Sequence, residues 1–132
     1  MKVKKYDQFN ESCYQAQLDN GLTVTLLPKA GYHKTYATFT TNYGSIDNTF
    51  VPAGSTEMQR FPDGIAHFLE HKMFEKADHD AFQIFGQYGA SANAFTSFTK
   101  TSYLFSATRH LQDSLMTLLD FVQDPYFTPA TV

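Results

Sequence analysis

A chain of 132 residues has room for one packed domain or part of one, and is short for a self-contained enzyme with a deep cleft. Its 10 Lys and Arg against 13 Asp and Glu leave a formal net charge of −3, with no basic block to track a phosphate backbone, which argues against nucleic acid as a partner. Cys13 is the single cysteine, so an internal disulfide and a thiolate zinc cluster are excluded and any metal has to be held by His, Asp or Glu.

The opening MKVKKYDQFNES carries lysines with no apolar run behind them, unlike a secretory signal or a membrane anchor, and sets the expectation of a cytoplasmic chain without a membrane partner. Aromatic residues make up 16%, with 13 Phe, 8 Tyr and no Trp, the mark of a Phe-rich core rather than an aromatic cofactor box. Tyr14 to Leu18 and Leu22 to Leu27 are rich in β-formers and flank Asp19-Asn20-Gly21, whose Asn-Gly pair suits a tight hairpin closed by Pro28. Thr35 to Tyr43 alternates Ala37, Phe39, Thr41 and Tyr43 with polar neighbours, the period of a strand.

From Gly44 to Pro62 glycine and proline punctuate a polar stretch that reads as a long surface loop. Asp63 is then placed to cap a helix over Gly64 to Glu75, and Asp78 or Asp80 a second helix that stops at Gly89. Ala90 to Ser97 and Thr101 to Thr108 read as two more strands. Leu111, Leu115, Leu118, Leu119 and Val122 mark an amphipathic helix ended by Asp124-Pro125. Strands and helices that do not strictly alternate indicate an α+β fold, a mainly antiparallel sheet of about five strands with helices on one face. Thr128-Pro129 is an N-cap followed by proline at the first helical position, so the chain reads as cut from something longer, a truncated N-terminal domain over 1–132.

Within the first helix, GIAHFLEH places His67 and His71 one turn apart on a face that Glu70 shares with a sideways offset. Two such imidazoles can reach one tetrahedral ion, leaving the glutamate to handle protons instead of ligating. Those are the parts for hydrolysis: a Lewis acid that lowers the pKa of water and a carboxylate that takes its proton. The plainer alternative is the solvated stripe of an amphipathic helix, although such stripes are normally written with Lys, Glu, Gln and Ser rather than His.

His-x-x-Glu-His is the inverted zincin signature. With it, the sequence resembles the pitrilysin/insulinase family of zinc metallopeptidases, the inverzincins. "NGLTVTLLP" is similar to that family's opening strand, "GIAHFLEHKMFE" to its zinc helix, "GASANAFTSFTKTSYLFSA" to the following strand pair and "LLDFVQDPYFTPATV" to the segment after it. The likeness is strongest to a branch found in Gram-positive bacteria. It implies a zinc metalloendopeptidase acting on oligopeptides or small unfolded proteins, with Zn2+ on His67 and His71, Glu70 as general base, and Asn93 and Ala94 binding peptide substrate by strand addition. Read without the family, Asn93 ends or bulges a strand and Ala94 packs.

The resemblance also implies a third ligand, a glutamate roughly a dozen residues past Val132, and a second homologous half or partner chain that closes the cleft. The isolated chain is accordingly expected to be incomplete, and a noncatalytic peptide-binding or scaffold subunit is the alternative function. His33, His79 and His110 match no ligand position and read as surface residues, while Glu57 and Glu75 are the further carboxylates with a chemistry suited to approaching a metal, Glu75 more plainly as a helix-end charge.

Overall fold

A computed structural model describes residues 1–130 of the chain, which fall into two compact units, 1–33 and from Lys34 onward. The first unit is a three-stranded antiparallel sheet in the order β1 (Lys2–Tyr6), β2 (Glu11–Gln17), β3 (Thr23–Leu26). The predicted hairpin is β2–β3. Its turn takes one left-handed residue rather than two: Gly21 has φ +89°, its N–H donates to Leu18 C=O, and the Asn20 side chain accepts from Leu22 N–H. Strand β1 was not anticipated, because KVKKY lacks an apolar alternation to announce it.

The second unit is built around β8 (Thr101–Ala107), which pairs antiparallel with β4 (Thr35–Thr41) on one side and β7 (Ser91–Thr96) on the other. Tyr103, Phe105 and Ala107 alternate onto one face, joined there by Ala37, Phe39, Ala92 and Ala94 of the flanking strands. Helices α1 (Ile65–Phe74), α2 (Ala81–Gln87) and α3 (Leu111–Gln123) cover that face with Phe74, Phe85, Leu118 and Phe121. The rings interlock, Phe74 stacking on Phe121 at 4.9 Å and Tyr103 meeting Phe121 edge-on at 5.5 Å. The α+β class, the antiparallel pairing and the one-sided helices stand as expected. The five predicted strands all form, but β2–β3 and β4–β8–β7 lie in separate sheets.

The loop expected over 44–62 contains a small ribbon, β5 (Thr49–Phe50) with β6 (Gln59–Arg60). Phe50 stacks on Phe61 at 4.6 Å and meets Tyr43 edge-on, so an aromatic cluster closes the ribbon where two-residue strands show no period. Of the predicted caps, Asp80 accepts from Phe82 N–H at 2.8 Å and starts α2, and Gly89 follows its end in the left-handed region. Asp63 caps nothing: it accepts from the Asn48 amide and faces Arg60, while Gly64, left-handed at φ +89°, occupies the position before α1. The helix expected to open at Thr128-Pro129 would run into residues outside those described. No helix among the described residues is long and apolar enough to cross a membrane.

Candidate active site

Helix α1 sorts its residues into two stripes. Ala66, Glu70 and Phe74, spaced four apart, face the core and are nearly inaccessible, whereas His67 and His71 lie on the neighbouring open face. The side chain of His67 is 63% exposed and that of Glu70 only 7%. Glu70 is therefore not part of a solvated stripe. A carboxylate at such depth requires a donor, and Thr96 of β7 supplies one, its hydroxyl donating to Glu70 Oε2 at 2.6 Å. The same oxygen lies 3.5 Å from His67 Nδ1.

The two imidazoles converge, with Nε2 of His67 and Nε2 of His71 3.2 Å apart. Two nitrogens bound to one tetrahedral zinc at the usual bond length stand about 3.3 Å apart, so this pair has the spacing of one edge of a zinc coordination sphere. The residues fit the metal as far as they go. Among the described residues no group of three or more His, Cys, Asp or Glu gathers to hold an ion, which leaves two ligands of the usual three.

Beside the helix runs the free edge of the sheet. Among the described residues, strand β7 has β8 on one side and no strand on the other. Ser97 N–H donates to Lys100 C=O, marking a hydrogen-bonded position, and alternation along the ladder then turns the backbone groups of Thr96, Ala94 and Ala92 away from β8. The outward N–H of Ala94 is met by the side-chain oxygen of its own neighbour, Asn93 Oδ1, at 2.9 Å. Asn93 and Ala94 thus lie on an open edge within the same cleft as His67, Glu70 and His71, a hollow of about 520 Å³. Phe74, Phe82 and Phe95 give it an apolar wall, Phe82 lying flat on Phe74 at 4.1 Å.

Thr96 lines the site and Tyr103 lies in the core beside it, and neither was legible in the sequence. Tyr103, on β8 under the helix, has its phenol pushed up to about 12, first by burial and then by the negative charge of Glu70. Glu75 lines the cleft, but its carboxylate is engaged by the buried Lys72 ammonium. Glu57 lies outside the cleft, in the segment between β5 and β6. His79 pairs with Asp78 and His110 with Asp113 at their own helix ends, and His33 is exposed in the first unit.

An antiparallel sheet whose open edge runs beside a helix bearing convergent histidines and a buried glutamate has the layout of a peptidase of the inverted H-x-x-E-H class. Residues 45–132 match the model of Insulinase (Peptidase family M16), and the chain belongs to that family. The uncharacterized zinc protease YmfH of Bacillus subtilis strain 168 is 63% identical over 132 residues, 100% of this chain and 31% of that protein. A solved M16-like peptidase from Alicyclobacillus acidocaldarius superposes with a TM-score of 0.84 at 47% identity, over 91% of this chain and 28% of its own. A protease from Helicobacter pylori shares the fold, with a TM-score of 0.71 at 24% identity over 90% of this chain and 27% of its own. The chain spans less than a third of the length of these relatives.

Proposed function

We propose that this chain is the N-terminal catalytic part of a zinc-dependent metalloendopeptidase that hydrolyses peptide bonds in oligopeptides or small unfolded proteins. One observation carries the reading: two imidazole nitrogens 3.2 Å apart stand beside a buried carboxylate in a cleft bordered by the outer edge of a strand paired on one side only. The naming of YmfH as a zinc protease supports it. His67 and His71 hold the zinc through Nε2, and the metal, when bound, supplies Lewis acidity for the scissile carbonyl and for water. Glu70 takes a proton from the attacking water and returns it to the leaving amine. Peptide substrate adds to the outward backbone groups of β7 at Ala94, with the Asn93 side chain moving from Ala94 N–H to the incoming chain.

Two histidines fall one short of a catalytic zinc set, so the third protein ligand and the surface that closes the cleft belong to the remainder of the protein or to a partner chain. We place its action in the cytoplasm, where the unpaired thiol of Cys13 stays reduced.

The test is turnover of a fluorogenic peptide library by the full-length protein and its Glu70→Gln variant. Loss of the base should lower kcat at least about a hundredfold while peptide binding persists. Turnover within about twofold of the parent protein would remove Glu70 from the chemistry. Peptide binding with no turnover in either protein would favour a noncatalytic peptide-binding subunit.

A further inference from the structure

We propose that Thr96 is the positioning residue of the general base, fixing which oxygen of Glu70 faces the reaction; this rests on the peptidase reading above. A carboxylate on a helix can rotate about its terminal torsion, and its two oxygens are chemically equivalent until something distinguishes them. Here the distinction is built in. Oε2 accepts from the Thr96 hydroxyl at 2.6 Å and stands 3.5 Å from His67 Nδ1, whereas among the described residues nothing donates to Oε1. An ionised carboxylate only accepts, so the hydroxyl has to donate, and the bond has the short length of a charge-assisted one.

The placement of Thr96 follows from register. It is the last residue of β7, and its side chain alternates with those of Ala92 and Ala94 onto the helix-covered face, which brings the hydroxyl under α1. Its backbone groups, opposite Thr101 in a pair without mutual hydrogen bonds, point instead toward the open edge. One residue therefore holds the base with its side chain and borders the added peptide strand with its main chain. Peptide and base are registered to the same strand end, as proximity catalysis requires.

The test uses the full-length protein with Thr96→Val, which keeps the shape and removes the donor, and Thr96→Ser, which keeps the donor, beside Glu70→Gln. Thr96→Val should lower kcat about ten- to a hundredfold with KM within about twofold, and Thr96→Ser should restore kcat to within about threefold. Zinc content of the purified variants, read by elemental analysis, should match the parent protein. If Thr96→Val does not fold, Thr96→Ala against Thr96→Ser makes the same comparison. An unchanged kcat in the donorless variant overturns the assignment, as does a raised KM alone, a Ser variant as impaired as Val, or lost zinc. Retained turnover in Glu70→Gln removes Glu70 as the base and overturns the assignment with it, peptide binding with no turnover in any of the proteins overturns the peptidase reading itself, and retained turnover in Thr96→Val alone overturns only the assignment.

Discussion

At Glu70 a charged side chain sits in the apolar stripe of its helix, and neighbours from two strands, β7 and β8, register that charge. Thr96 donates to it, and Tyr103 meets its field from below. Tyr103 also gives the residue scale its pH signature. The folded state holds its phenol up at about 12 against 10.0 for an unperturbed tyrosine, so between those values the native state binds the proton that the unfolded chain releases. Its contribution to stability is full below pH 10 and is lost as pH rises through about 12. Denaturant melts across that range should show a steeper alkaline decline in the parent protein than in Tyr103→Phe. Parallel declines would mean that the phenol titrates normally. The H-x-x-E-H spacing was readable because 100° per residue maps positions onto helix faces without tertiary knowledge. Thr96 was not: it lies 26 residues from Glu70, and only the strand register brings its hydroxyl there.

Helix ends separate what local chemistry announces from what the backbone decides. Asp80 looks like a cap and is one, so Asp80→Ala should cost about 1 kcal/mol in chemical denaturation. Asp63 looks equally good, yet Gly64 takes the residue before α1 at φ +89° and turns the chain into the helix by backbone conformation. Gly64→Ala should cost about 1 kcal/mol even though open space surrounds the added methyl, and Asp63→Ala no more than a few tenths. The reverse ranking would restore Asp63 as the cap. A different contact secures the end of α3, where the Lys76 ammonium donates to the carbonyls of Phe121 and Asp124. Burial lowers the pKa of that amine and the charge of Asp124 opposes the shift. The long strands and helices were legible because their periods run over several repeats. Strands β5 and β6, two residues each, exist through the Tyr43, Phe50 and Phe61 contacts, which no local period encodes.

Across the whole molecule, the helix and the sheet edge form a cleft, but the described residues bring only two metal-ligating side chains together. A zinc titration of the 132-residue chain against a chromogenic chelator should therefore give weak binding that disappears in the His67→Ala/His71→Ala double variant. Tight stoichiometric binding would require a third ligand from within the chain or from a second copy. The α+β class could be inferred from the order of strands and helices, but their division among three sheets depends on long-range pairing that local sequence does not display. Within the second unit, β4 and β7 each pair with a single strand, β8, among the described residues. Neither TYATFTT nor SANAFT contains a charge or a proline, the usual guards against edge-to-edge association. At rising concentration another copy of the chain can add to the same row of backbone groups, so its sedimentation coefficient should climb with concentration.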